Sequence, residues 1–188
     1  MQRPSYLWRL RSRTLELGHR TLVMGILNVT PDSFSDKGLY FAPEVAVERA
    51  WQIAEEGADI LDIGGESTRP GSQWVGVEEE LRRVVPIVEA LAARKNYPIP
   101  ISIDTSKVEV AKAALECGAS IINDITSLQK DPGIGTEVAK CDAALILMHM
   151  RGDPGNMQTI PPSKDILAEI DIWAQEAVAR ARNSGVRS

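Results

Sequence analysis

The sequence has few cysteines and few aromatic residues. Its 188 residues include 2 cysteines, and aromatic residues make up 5% of the chain, which excludes the composition of a small disulfide scaffold. Cys117 and Cys141 each stand at the end of a predicted helix, and two cysteines without a neighbouring histidine do not indicate a zinc site. We interpret both as structural thiols, which are typical of a reducing compartment, and therefore expect a cytoplasmic protein.

Long hydrophobic runs and an excess of basic charge are also lacking. The longest apolar runs, such as residues 143–148, are far shorter than the roughly 20 residues that cross a bilayer, so no membrane role is expected. Lys and Arg number 21 against 26 Asp and Glu, a net charge of -5 with no dense basic stripe. We therefore expect no nucleic-acid partner. The early basic residues are not followed by an apolar segment and cleavage site, so no secretory signal is predicted.

What the sequence does contain is an alternation of short apolar runs with longer segments of helical period. Apolar residues recur at helical spacing from Val77 to Leu91 and from Ile166 to Ala177. Nearly continuous apolar runs are typical of buried parallel strands. The predicted strands are 22–29, 59–63, 99–103, 121–125 and 143–149. This alternation predicts an α/β fold of the (β/α)8 barrel type with about the first five βα units, whereas a complete barrel has eight units in ~250 residues.

A short hairpin is predicted before the first of these strands. Residues 14–17 form one arm, the chain turns at Gly18-His19, and the segment from Arg20 forms the other arm. With the five βα units, this gives a single domain over residues 1–188 that is an incomplete barrel.

A polar residue stands at or near the carboxyl end of every predicted strand: Asn28, Asp62, Asp104, Asn123 and His149. In a parallel barrel these ends converge on the rim where barrel enzymes build their active sites. Burying a polar group without a partner costs roughly 1 to 3 kcal/mol. Any one of these side chains could be satisfied by neighbouring backbone, but the five together predict a site at this rim.

Two polar loops follow the first two strands. Residues 28–36 read N-V-T-P-D-S-F-S-D and residues 64–71 read G-G-E-S-T-R-P-G. The second loop fits neither G-x-x-x-x-G-K-[ST] nor G-x-G-x-x-G, so ATP or dinucleotide binding has no support. Later segments are S-I-D-T at 102–105, I-N-D at 122–124 and L-M-H-M-R-G at 147–152.

Together and in this order, these five segments resemble motifs of the dihydropteroate synthase family. The resemblance spans nearly the whole chain after the predicted hairpin. It implies a pterin-binding barrel and a transferase of folate biosynthesis, which condenses hydroxymethyl-dihydropterin diphosphate with para-aminobenzoate to give dihydropteroate and pyrophosphate. It also implies Mg2+ as cofactor, small-molecule substrates as partners, and a homodimer as an open expectation for the full-length form.

The resemblance assigns three residues to the pterin. Asp104 matches the carboxylate that accepts from adjacent N–H donors of the pterin, and Asn123 matches the amide that contacts the same edge. Met148 would line the pterin plane as a polarizable contact, with core filling as the alternative.

The remaining assignments concern the diphosphate and para-aminobenzoate. Asn28 matches the catalytic and metal-binding position, where an oxygen ligand suits a hard cation. Thr68, Arg69 and Pro70 match a loop that binds para-aminobenzoate, and Thr68 and Arg69 would also act in catalysis by closing over the reacting groups.

Several interpretations stay open. The roles of Asp36, Asp62 and His149 are not assigned, although a general base is not required because the amine of para-aminobenzoate is already unprotonated at neutral pH. Asp131, in a D-P-G stretch, is expected to cap the fourth helix rather than to bind pterin. The family's later site residues have no match here, so a catalytically incomplete fragment is one alternative, and a barrel similar to pterin-dependent methyltransferases is another.

Overall fold

The computed structural model describes residues 3–11, 13–30, 43–66, 75–94, 96–152 and 155–187. Seven strands and five helices lie within these residues. The strands are β1 (Tyr6–Arg9), β2 (Thr14–Leu17), β3 (Met24–Asn28), β4 (Ile60–Gly64), β5 (Ile101–Asp104), β6 (Ile121–Asp124) and β7 (Ala144–Leu147). The helices are α1 (Pro43–Glu55), α2 (Val77–Ala93), α3 (Val108–Cys117), α4 (Gly133–Lys140) and α5 (Ile166–Asn183).

Strands β3 to β7 form one parallel sheet whose order follows the chain, β3-β4-β5-β6-β7. Parallel neighbours need a crossover connection, and a helix follows each of these strands. The five predicted βα units are therefore confirmed. A sheet that grows in one direction as each unit is added has the strand order of a (β/α)8 barrel.

The core lies between this sheet and the helices that cover it. All five residues of β4 are buried, and Leu61 and Ile63 are fully enclosed. Helix α2 buries Val84, Ile87 and Leu91 in the same core. Such enclosure explains why the strands read as continuous apolar runs rather than as alternating ones.

The N-terminal hairpin differs from the prediction. Strand β2 pairs in antiparallel fashion with β1, which precedes it, with Tyr6 opposite Leu17 and Arg9 opposite Thr14. The turn therefore lies between these strands, and the prediction of a turn at Gly18-His19 was wrong. Gly18 has a φ of 107°, and a side chain there would collide with the carbonyl oxygen of Pro4. A glycine is therefore needed at position 18 because two backbone segments approach closely there, and not because the chain forms a hairpin turn.

This hairpin packs under the amino ends of the parallel strands. Leu10, which lies between β1 and β2, is 6% exposed. It clusters with Ile60, Ile121 and Ala144, the first residues of β4, β6 and β7. Arg11 adds a 2.6 Å hydrogen bond from Nη1 to the carbonyl oxygen of Leu115. The hairpin thus covers the end of the sheet opposite to the predicted site.

Two further expectations concern thiols and membranes. Cys117 and Cys141 are free thiols and partly buried. Over the ranges given above, no helix combines the length and the apolar character that spanning a membrane requires.

Candidate active site

A single row of residues crosses the carboxyl end of the sheet. The register pairs Asn28 with Gly64, Gly64 with Asp104, and Asp104 with Asn123. Paired residues on neighbouring strands direct their side chains to the same face of the sheet. The structure therefore brings together Asn28, Asp104 and Asn123, as the sequence predicted.

Gly64 leaves an open space in the middle of this row. A Cβ atom at position 64 would lie 3.6 Å from Asn28 Oδ1, 3.7 Å from Asp104 Cβ and 3.7 Å from the backbone oxygen of Glu66. These groups therefore border one space that a larger residue would narrow. Asn28 is exposed and Asp104 is partly buried, so the space opens to solvent on the side of Asn28.

Asp62 lies one layer deeper on the same face, where it pairs with Ser102. Its Oδ2 accepts a 3.1 Å hydrogen bond from Asn123 Nδ2. Oδ1 has no hydrogen-bond partner among the residues that the structure describes. Burial raises the pKa of Asp62, against the opposing influence of Ser102 and Asn123. Asp62, whose role the sequence left open, thus contacts the side-chain amide of Asn123 from the deeper layer.

Asp104 has a strongly perturbed carboxyl group. Burial raises its pKa to about 7, and the negative charges of Asp62, Glu80, Asp124 and Glu66 contribute to the same shift. Near neutral pH the group is thus part protonated and part ionised. A ligand that donates hydrogen bonds to the carboxylate would stabilise the ionised form, so binding and ionisation are coupled.

A buried cluster of three charged residues adjoins this row. Lys107 Nζ contacts both the Glu66 and the Glu80 carboxylates. The side chain of Lys107 is 5% exposed and that of Glu80 is 0% exposed. Burial lowers the pKa of Lys107, but the hydrogen bonds from its ammonium group to the two carboxylates outweigh burial and raise the pKa overall. Lys107 therefore stays protonated.

Sequence reasoning missed Lys107 and Glu80. Glu80 lies on the buried face of α2, three residues after Val77. Val84 and Leu91 lie on the same face. A carboxylate on an apolar helix face requires a buried partner, since an unpaired buried charge is strongly unfavourable. That position was the signal that could have identified the cluster.

Another buried carboxylate, that of Asp124, organises the turn after β6. Asp124 accepts hydrogen bonds from Thr126 N at 2.8 Å, Thr126 Oγ1 at 2.7 Å and Leu128 N at 2.7 Å. Within this turn, Ser127 and Leu128 have φ values of 54° and 61°, which are rare for residues other than glycine. Three hydrogen bonds to one carboxylate compensate for this strained backbone.

The same turn reaches Met148, the predicted contact of the pterin plane. Ser127 Oγ donates a 2.8 Å hydrogen bond to the backbone oxygen of Met148. Met148 directly follows β7 and is 38% exposed. Its side chain is therefore exposed at the carboxyl end of the sheet, beside the turn that follows β6.

His149 and Asp131 have structural contacts. The ring of His149 meets Trp173 edge to face, with 5.3 Å between ring centroids. Asp131 accepts 3.0 Å hydrogen bonds from Gly133 N and Val108 N, which belong to the first residues of α4 and α3. The expected place of Asp131 at the start of the fourth helix is confirmed, although Pro132 is the N-cap residue of α4. The same carboxylate contacts the start of α3 as well.

Other predicted site residues lie outside the described residues: Thr68, Arg69, Pro70 and Asp36. Within the described ranges, no group of three or more His, Cys, Asp or Glu side chains is arranged to hold a metal ion. Asn28 offers one exposed side-chain oxygen. A single protein oxygen fits Mg2+, which usually keeps several waters and binds substrate phosphates rather than an all-protein cage.

Residues 24–188 match the family model described as "Pterin binding enzyme". The chain belongs to this family. Membership agrees with the position of the site at the carboxyl ends of the strands, where barrel enzymes bind their ligands.

Relatives within the pterin binding enzyme family are dihydropteroate synthases. The enzyme of Escherichia coli (strain K12) is 48% identical over 173 residues, which cover 92% of this chain and 60% of that protein. The enzyme of Synechocystis sp. is 46% identical over 169 residues, with 90% and 58% covered. The chain thus spans about 60% of the length of these curated relatives.

Solved structures in the family show the same fold. Yersinia pestis dihydropteroate synthase, in a sulfonamide drug complex, superposes with a TM-score of 0.86 at 45% identity and covers 97% of this chain and 65% of that one. The Xanthomonas albilineans enzyme with 4-aminobenzoic acid has a TM-score of 0.84 at 46% identity, covering 98% and 64%. The resemblance to the N-terminal part of the dihydropteroate synthase family and the incomplete (β/α)8 barrel are both confirmed.

Proposed function

We propose that this chain carries the pterin-binding part of a dihydropteroate synthase. The reaction joins the amine of para-aminobenzoate to the methylene carbon of hydroxymethyl-dihydropterin diphosphate and releases pyrophosphate in folate biosynthesis. The observation that carries this proposal is the row of Asn28, Gly64, Asp104 and Asn123 at the carboxyl end of the sheet. Similarity to dihydropteroate synthases over most of the chain supports it.

The pterin edge would bind between Asp104 and Asn123, which are neighbours in register. An ionised carboxylate accepts from two adjacent N–H donors at once. The amide nitrogen of Asn123 is held by Asp62, so its carbonyl oxygen is directed away from that bond as a further acceptor. Met148, just past β7 and partly exposed, would contact the flat face of the heterocycle.

The chemistry is a substitution at carbon. The amine nitrogen forms a bond to the methylene carbon as the carbon–oxygen bond to the diphosphate breaks, and the bonding electrons leave with pyrophosphate while the nitrogen loses a proton. The amine is a sufficient nucleophile at neutral pH, so the protein contributes mainly positioning and stabilisation of the leaving group. The contact of His149 with Trp173 agrees with a structural role for that histidine.

Asn28 would face the diphosphate. Its exposed side chain borders the space above Gly64 on the side opposite to Asp104. When bound, Mg2+ would neutralise negative charge on the departing pyrophosphate. We assign Asn28 Oδ1 as the protein ligand of this Mg2+.

Para-aminobenzoate would bind to Thr68, Arg69 and Pro70. The structure with 4-aminobenzoic acid from Xanthomonas albilineans supports this substrate class. Glu66 and Val75 flank this loop, and Val75 N donates a 3.3 Å hydrogen bond to Glu66 Oε1. The described residues on either side of this loop are therefore hydrogen-bonded to each other, and the backbone oxygen of Glu66 borders the space above Gly64.

Further parts of the proposal concern the protein as a whole. We assign residues 1–188 to one pterin-binding domain, because the core runs continuously from β3 to the last turn of α5. A cytoplasmic location fits the two free thiols. A homodimer in the full-length form is also part of the proposal.

Calorimetric titration with hydroxymethyl-dihydropterin diphosphate and magnesium tests the proposal. Asp104→Ala should weaken binding by at least about tenfold, because it removes charge-assisted hydrogen bonds. Asp171→Ala, at an exposed position of α5, is the control and should bind like the wild type. Equal affinity in the Asp104→Ala variant would remove Asp104 from the site.

Turnover is measured separately, by release of pyrophosphate after para-aminobenzoate is added. Release would show that the residues of this chain suffice for the reaction. Binding without release would support the alternative of a catalytically incomplete fragment. A chain that binds no pterin ligand would contradict the proposed function.

A further inference from the structure

The charge of the site opposes its proposed substrate. Four carboxylates, those of Asp62, Glu66, Glu80 and Asp124, act electrostatically on Asp104. The proposed substrate carries a diphosphate, and like charges repel strongly in a partly buried site. Binding therefore requires that some of this negative charge be neutralised.

Lys107 is placed to neutralise it. Its ammonium group contacts Glu66 and Glu80 together and is nearly inaccessible to solvent. Lys107 follows Asp104 by three residues, Glu66 follows Gly64 by two, and Glu80 belongs to α2. One side chain thus connects the carboxyl ends of β4 and β5 to a helix.

Stability alone does not account for this cluster. Replacing a buried ion pair by apolar residues is often neutral or stabilising, so such a pair is weak support for a purely structural role. Glu66 also borders the site. A Cβ atom at position 64 would lie 3.7 Å from the backbone oxygen of Glu66 and 3.6 Å from Asn28 Oδ1. Whatever holds Glu66 therefore also holds an oxygen of the pocket wall.

We propose that Lys107 is a positioning residue for the diphosphate side of the site. Its ammonium group neutralises charge on Glu66 and Glu80 and keeps the Glu66 carbonyl beside Asn28. The inference rests on the proposed function, because the diphosphate is the ligand group concerned. Among the described residues, no hydrogen bond joins Lys107 to Asp104 or Asn123, which would hold the pterin edge.

A comparison of two ligands separates this role from general damage. Lys107→Met is titrated with hydroxymethyl-dihydropterin and with its diphosphate, both with magnesium. At pH 8, where Asp104 is mostly ionised, we expect at least tenfold weaker binding of the diphosphate. The ligand without the diphosphate should lose no more than about threefold, because the uncompensated charges of Glu66 and Glu80 also act on Asp104. Lys130→Met, an exposed lysine that donates to Ser106 Oγ, is the matched control and should change neither affinity. Unchanged binding of the diphosphate, or equal losses for both ligands, would overturn the proposal.

The double variant Lys107→Met/Glu80→Gln keeps the experiment decisive if the single variant fails to fold. It removes one positive and one negative charge, so the net charge of the cluster equals that of the wild type. Affinity for the diphosphate should lie at least threefold below the wild type, because Glu66 is no longer held. Wild-type affinity in this variant would contradict a positioning role.

Amide hydrogen exchange gives a readout that needs no ligand. The amide of Val75 donates to Glu66 Oε1, so it should exchange at least tenfold faster in Lys107→Met and at the wild-type rate in Lys130→Met. If the wild type bound neither ligand, the proposed function would fail, and this exchange rate would still decide whether Lys107 holds Glu66. An unchanged rate overturns the inference.

Discussion

Asn123 donates a 3.1 Å hydrogen bond from its side-chain amide to Asp62, although the two residues lie on strands that are not neighbours. Strand β5 runs between β4 and β6. Asn123 is in register with Asp104, whereas Asp62 is in register with Ser102, two residues earlier on the same strand. The bond therefore joins the deeper polar layer to the row of Asn28, Asp104 and Asn123 at the carboxyl end of the sheet.

Removing this bond should weaken pterin binding. In Asp62→Leu, Asn123 loses its hydrogen-bond acceptor, and we expect a loss of about 1 kcal/mol, or roughly fivefold in affinity for the pterin ligand. Isothermal titration calorimetry at pH 8, where Asp104 is already mostly ionised with or without the charge of Asp62, measures the change. Asp62→Asn is the control, since it retains a side-chain oxygen that can accept from Asn123. Equal affinities of wild type and Asp62→Leu would show that the amide needs no support from Asp62.

Pterin affinity should depend on pH through Asp104. Its pKa of about 7 means that the carboxylate form, which would accept from the pterin in the proposed function, is lost as pH falls. We expect about tenfold weaker binding at pH 6 than at pH 8. Asp62→Asn should move the midpoint to lower pH, because the charge of Asp62 contributes to the raised pKa. A flat profile between pH 6 and 8 would contradict this assignment.

The same carboxyl group should lower stability at neutral pH. Its pKa is 3.8 before folding and about 7 in the folded chain, so the folded state binds more protons between these values. The free energy of unfolding should therefore decrease as pH rises from about 4 to 7. Asp104→Asn removes this cost and should be more stable than the wild type at pH 8 by more than about 1 kcal/mol, with a smaller difference at pH 5. Urea unfolding at both pH values tests the sign.

Asp124 should be important for stability. Asp124→Ala removes three hydrogen bonds to a buried carboxylate and leaves the positive φ angles of Ser127 and Leu128 without support. We expect a loss of about 3 kcal/mol or more in the free energy of unfolding. Thr126→Val, which loses one of the three bonds, should lose roughly 1 kcal/mol. Similar stabilities of the wild type and both variants would show that the turn does not depend on these bonds.

The hairpin beneath the sheet should stabilise the fold without affecting the ligand. Leu10→Ala creates a cavity beside Ile60 and Ile121, and we expect a loss of about 2 kcal/mol in the free energy of unfolding. Leu7→Ala, at a position that is 67% exposed, should stay within about 0.5 kcal/mol of the wild type. Pterin affinity of folded Leu10→Ala should be unchanged, since Leu10 and Asp104 lie at opposite ends of the strands. A specific loss of affinity would contradict this separation.

The parallel strands could be predicted because burial on both faces leaves a continuous apolar run. The prediction of 59–63 differs from β4 (Ile60–Gly64) by one residue at each end. The prediction of 143–149 ran too long, since Met148 and His149 continue the pattern in sequence but not in the sheet. There the backbone oxygen of Met148 accepts from Ser127 Oγ.

The proximity of Asp104 and Asn123 could also be predicted, because both stand at strand ends and parallel strands bring such ends together. The cluster of Lys107, Glu66 and Glu80 could not be predicted. Lys107 and Glu80 are 27 residues apart, on a loop and a helix that meet only by packing. The predicted hairpin turn at Gly18-His19 was wrong for a related reason. Gly18 is required by a contact with Pro4, which no local turn pattern reveals.

Gly64 makes the pocket adjustable by a single methyl group. A Cβ there would meet Asn28, Asp104 and Glu66 at ordinary van der Waals distances, so the fold would accept alanine with little strain. The same methyl group would occupy volume that a ligand would otherwise fill. Gly64→Ala is thus a starting point for pairing an altered pocket with a ligand trimmed to match, so that the variant and its ligand would recognise each other selectively.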